Sequence, residues 1–158
     1  MRKISLIAVA AALACGGSSN TAANVYVANL TSGGEFPTPP NPNANANGTA
    51  TFTVNAPSVD YVITYANLSG PPVVAHIHPG AAGTANSPII PSFAGLPTSG
   101  TSATFSGTFQ ATDIKAGAGI AAGDLNALVA MMKAGTAYAN IHTQANPNGE
   151  IRGQIHPK

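Results

Sequence analysis

The sequence predicts an all-β fold, a Greek-key β-sandwich or barrel of about seven or eight short strands with one short helix near 124–134. Three observations predict it. Segments with period-two alternation recur along the chain, TATFTVN and VDYVITYANL among them. Gly, Pro and Asn clusters separate these segments. One stretch alone carries apolar residues at helical spacing, and a chain with 7% charged side chains does not suit a long helical bundle. At 158 residues, the chain is long enough for one domain with a modest core.

Residues 1–14 are expected to be a signal peptide rather than part of the fold. Arg2 and Lys3 precede an apolar run from Ile4 to Ala14, interrupted by Ser5 and too short to span a bilayer. The run ends in Ala12-Leu13-Ala14, and Cys15 follows. This segment resembles a bacterial lipoprotein signal, although Ala12 stands where such signals usually carry Leu. That resemblance implies a lipidated Cys15 holding the protein to a membrane, with 15–24 as its tether; a plain secretory signal is the alternative. Both place the protein outside the cytoplasm. A chain with one cysteine has no internal disulfide. Without the leader, four basic side chains face five acidic ones, and no Lys/Arg cluster exists for nucleic acid.

The folded domain is expected over 25–158. Asn24–Thr31 is the first strand, and the Pro- and Asn-rich 37–48 is a loop. Thr49–Asn55 and Val59–Leu68 alternate as half-buried strands, the second stopped by Ser69-Gly70-Pro71-Pro72. Val73–His78 is another strand, stopped by Pro79-Gly80. Residues 81–102 are loop-like, with a brief strand at Ile89 and Ile90, and Ser102–Ala111 is the next strand. Asp124 caps the helix, Leu125, Leu128, Val129 and Met132 form its apolar stripe, and Gly135 closes it. Met131 and Met132 belong to this helix and are expected to pack rather than to bind metal. Tyr138–Thr143 and Gly149–His156 form a hairpin around Asn146-Pro147-Asn148-Gly149.

The candidate chemistry lies in the histidines. His76 and His78 are two apart on a strand and so share a face, while Val73, Ala75 and Ile77 take the other. His142 has the opposite parity to Ile141, and His156 the opposite parity to Ile151 and Ile155. Two imidazoles side by side on a rigid strand, joined by others, suit a metal ion. The expected ligands are His76, His78 and His142, with His156 as a fourth. An all-imidazole set without a thiolate suits copper or catalytic zinc, zinc less so outside the cytoplasm. Asn140, Glu150 and Gln154 are candidates for orienting the rings. Arg152 shares parity with His156 and would place a cation beside the metal to attract a small anion; an ion pair with Glu150 is the alternative. The five acidic residues show no paired spacing for glycoside hydrolysis, and no phosphate-binding Gly-rich loop opens a helix.

The segments VDYVITYANLSGPPVVAHIHPGAAGTANSPII, ATFSGTFQATD and DLNALVAMMKAGTAYANIHTQANPNGEIRGQI, in this order, resemble the CHRD domain, an extracellular module named from chordin. The resemblance covers about 25–157. The histidine constellation is in turn similar to the copper site of the Cu/Zn superoxide dismutases, which join an H-x-H pair on a strand, further histidines and an arginine. That similarity implies His76, His78, His142 and His156 as ligands of one copper per chain, and Arg152 as the guide for superoxide. No zinc-binding cluster accompanies them, so such an enzyme would be copper-only. Two other functions stand beside it: a non-enzymatic copper-binding or buffering protein, and a structural or adhesion module without metal.

Overall fold

Along Ser58–Ala66 every second side chain is buried, Val59, Tyr61, Ile63 and Tyr65 in turn, as the period-two pattern predicts. The same rule builds most of the molecule. The computed structural model describes residues 24–85, 88 and 90–158. The expected signal at 1–14, Cys15 with the expected tether up to residue 23, and Ile89 of the expected brief strand lie outside the described residues.

The strands are β1 (Val25–Thr31), β2 (Asn47–Asn55), β3 (Ser58–Ala66), β4 (Pro72–Pro79), β5 (Ala103–Gln110), β6 (Ala137–Thr143), β7 (Ile151–Gln154) and β8 (His156–Pro157). All named pairings are antiparallel and form one sheet in the order β4-β6-β7-β1-β2-β3-β5, with β8 also on β1. The sheet curls into a half-barrel around its apolar face. The expected last strand is interrupted at Ile155, but its register against β1 is the same on both sides, Thr31 opposite Arg152 and Val27 opposite His156.

β4 and β5 are consecutive in the chain yet form opposite rims of the sheet, so the segment between them must cross the open side. It does so along β4. Ile77 donates its N–H to Pro91 and accepts one from Ile90, and Phe93 donates to Ala75. The Phe93 ring then lies 4.8 Å from Tyr61 and 5.8 Å from Phe52, and the Tyr61 hydroxyl donates to the Ala94 carbonyl. These contacts close the core.

The helix α1 (Leu125–Ala134) buries Leu125, Leu128 and Met132, while Val129 is half-buried. The Asp124 side chain accepts the Ala127 N–H at 2.9 Å, and Gly135 ends the helix with φ 69°. Among the described residues no helix is long and apolar enough to cross a membrane.

Candidate metal centre

Register places the site. On β4, β6 and β7, His76 lies opposite Asn140 and Asn140 opposite Arg152. One step along, His78 lies opposite Tyr138 and Tyr138 opposite Gln154; one step back, Val74 lies opposite His142. Cross-strand partners share a face. His76, His78, His142, Asn140, Tyr138 and Arg152 therefore stand on one face, and Ala75, Ile77, Ala139, Ile141 and Ile151 on the other, inside the core.

This polar face is covered rather than open to solvent. His76, His78 and His142 are 2%, 3% and 5% exposed. The His76 ring centre lies 4.4 Å from that of His78 and 4.6 Å from that of His142. One ring nitrogen from each lies within 4.8 Å of the others. An ion bonded at about 2.0–2.1 Å to three imidazoles holds their nitrogens about 3.4–3.6 Å apart, so the rings need to draw together by no more than about 1.5 Å to complete the site.

Two backbone carbonyls orient the rings. His142 Nδ1 lies 2.9 Å from the Pro147 carbonyl, and His78 Nδ1 lies 3.3 Å from the Pro88 carbonyl. A carbonyl only accepts, so each Nδ1 carries the hydrogen and each Nε2 keeps the lone pair. Among the described residues, buried His142 Nε2 and His76 Nδ1 have no hydrogen-bond partner. Burial, followed by repulsion from His78 and His142, lowers the His76 pKa to about 3, against an opposing contribution from Asn140. Burial also lowers that of His142, against the Pro147 carbonyl. At neutral pH both rings are therefore neutral bases, the form that binds a transition metal.

The flank of the site is made by residues of three kinds. Tyr138 stacks on His78 at 5.0 Å, and the Arg152 guanidinium lies 3.3 Å over the Tyr138 ring centre. Arg152 is fully buried; its Nη1 donates to the Thr84 carbonyl at 2.8 Å and its Nη2 to the Ala81 carbonyl at 2.9 Å. Glu35, just after the turn Ser32–Gly34, is 5% exposed beside this row. Burial pushes its carboxyl up to about 7, against the pull of Arg152 and Asn140.

Of the expected orienting residues, only Asn140 is the direct cross-strand neighbour of a cluster histidine. Glu150 instead accepts from the Ser69 N–H at 2.7 Å and from the Ser69 and Thr143 hydroxyls, each at 2.6 Å. Burial raises its pKa, but these hydrogen bonds outweigh burial and hold the carboxyl below its ordinary value. Gln154 donates to the Gly80 and Gly135 carbonyls. Arg152 spends its guanidinium on loop carbonyls and the Tyr138 ring rather than on Glu150 or the solvent.

His156 is not brought to the cluster. It is exposed on β8, with its Nδ1 beside the Pro157 carbonyl. The β6–β7 register, Tyr138 opposite Gln154, sets His156 six positions along from His142, roughly 20 Å at strand rise. Parity identified its face, but register decided its distance. Glu35 and Tyr138 were not singled out by the sequence. Tyr138 had a usable signal, the same parity as His142 on one strand; Glu35 lies in a Gly- and Pro-rich stretch with no period to read.

Fold and site together define a curled β-sheet module carrying a buried three-histidine cluster able to hold a metal ion. The chain belongs to the CHRD domain family, whose model matches residues 26–155. No curated protein and no solved structure shows significant similarity to it.

Proposed function

We propose that this protein is an extracytoplasmic copper-binding protein holding one ion per chain on His76, His78 and His142. The carrying observation is three buried imidazoles with one nitrogen each within 4.8 Å of the others; His76 Nδ1 and His142 Nε2 have no hydrogen-bond partner among the described residues. Uncharged buried nitrogen bases turned on one another leave costly unsatisfied atoms unless a cation joins them. Copper is favoured over structural zinc because, among the described residues, the set has three imidazoles and neither a thiolate nor a fourth ligand. The resemblance of 1–15 to a lipoprotein signal supports the compartment and attachment to a membrane.

Superoxide dismutation is the second reading, favoured by a three-ligand set that leaves a coordination position for a small anion. Copper held there supplies one-electron exchange, by which two superoxide ions and two protons become dioxygen and hydrogen peroxide. In this reading the imidazoles hold the ion in both oxidation states. Arg152 supplies positive charge from the flank of the site, where it and His78 both contact Tyr138.

The test is elemental analysis of protein purified without a histidine tag. The expected result is copper near one per chain, lost in His76→Ala and in His142→Ala. Folded protein that retains no copper would overturn the proposal and leave the adhesion module standing. Superoxide turnover by the loaded protein, above a free-copper control, separates enzyme from buffer.

A further inference from the structure

Four buried side-chain atoms beside the histidines have no hydrogen-bond partner among the described residues: both carboxylate oxygens of Glu35 and both amide atoms of Asn140. Buried polar atoms are nearly always satisfied, so two whole groups left open side by side call for an explanation. Asn140 is fully buried on β6, directly opposite His76. Its amide lies within hydrogen-bonding reach of both His76 and Glu35, where it draws the Glu35 pKa down and the His76 pKa up, although neither contact meets full hydrogen-bond geometry.

We propose that Glu35 and Asn140 are a positioning pair for His76: the amide anchors the imidazole and the carboxylate anchors the amide, so that His76 presents Nδ1 to the metal. The inference rests on the metal-binding reading above. The donor and acceptor types fit it. A ring N–H donates, the Asn carbonyl oxygen accepts, the Asn amide nitrogen donates and a carboxylate accepts. Such outer partners fix the orientation of a ligating imidazole and raise its basicity.

The surroundings hold Glu35 to this task. Gly149, at φ 117°, leaves the space its carboxylate fills, and a Cβ there would collide with it. Gly34, one residue before Glu35, packs on the β7 backbone at Arg152. Arg152, opposite Asn140 on the other side, supplies the compensating charge.

The experiment combines copper titration with nitrogen NMR of His76 in the metal-free protein. Glu35→Gln keeps the volume and removes the charge, and Asn140→Leu removes the amide. The expected result is copper binding about 10–100-fold weaker at unchanged stoichiometry, with altered copper hyperfine splitting in the electron paramagnetic resonance spectrum. His76 passes from one ring tautomer in the unsubstituted protein to a mixture in the variants. If Glu35→Gln does not fold, Asn140→Asp, which retains the shape, gives the same readouts. Unchanged affinity, splitting and tautomer in a folded variant overturn the pair while leaving the metal site intact. Absence of copper in the unsubstituted protein, with the tautomer still shifting on Glu35→Gln, overturns the metal reading and upholds the pair. Absence of both overturns both.

Discussion

His76 refuses a proton because its ring is dry and two further imidazoles crowd it. Glu35 gives up its proton only near pH 7, because its carboxyl is dry too. These two burials tilt stability in opposite directions. His76 has a folded pKa of about 3 against an ordinary 6.5, so between those values the unfolded chain binds a proton that the native state does not. Metal-free protein therefore loses stability as pH falls below 6.5 toward about 3, by up to about 1.4 kcal/mol per pH unit from this residue. Glu35 has a folded pKa of about 7 against 4.5, and its stabilisation is present below 4.5 and lost as pH rises to about 7. Between 4.5 and 6.5 the two slopes oppose each other. Glu35→Gln is expected to steepen the acid loss across that window by up to about 1.4 kcal/mol per pH unit. Urea unfolding of the metal-free protein at several pH values checks this. Superimposed profiles would show that the Glu35 carboxyl titrates normally.

At the scale of the element, β7 joins the histidine strands to the rest of the sheet, lying between β6 and β1. Gly153 makes that possible, because a Cβ there would overlap the Asn29 backbone on β1. Gly153→Ala is expected to force β7 from β1 and cost about 3 kcal/mol or more, the upper end for overpacking. Gly33→Ala, with open space at the Cβ position, is expected to change stability by less than about 0.5 kcal/mol. Thermal unfolding of the pair provides the comparison, and equal losses would contradict the close β1–β7 packing. Elements were the most legible level of this sequence. Period-two alternation located the long strands, and Asp124 and Gly135 marked both ends of the helix. Parity also found the face of the three clustered histidines. It did not show that the face is covered, because the cover consists of loops held by contacts far apart in sequence. Ser69 to Glu150, 81 positions apart, is one such contact. The Pro88 and Pro147 carbonyls that orient His78 and His142 are likewise backbone atoms of loops, invisible to any side-chain pattern.

At the scale of the whole molecule, the proposed site couples metal to folding. His76 and His78 come from the β4 rim and His142 from β6, and the unfolded chain separates the pair from His142 by more than sixty residues. Folding alone assembles all three, whereas the unfolded chain offers only the H-x-H pair. A ligand that binds the native state stabilises it by about 4.1 kcal/mol at a thousand times its dissociation constant. For a domain of this size that corresponds to a rise of roughly 10–20 °C in Tm. Copper is expected to produce such a rise, a chelator to reverse it, and His142→Ala to abolish it. His156→Ala must leave it in place, because β8 carries His156 along the sheet away from the cluster. If His156→Ala removed the rise and His142→Ala did not, copper would be bound at the C-terminal end of the chain, and the buried cluster would be no more than a packed polar face.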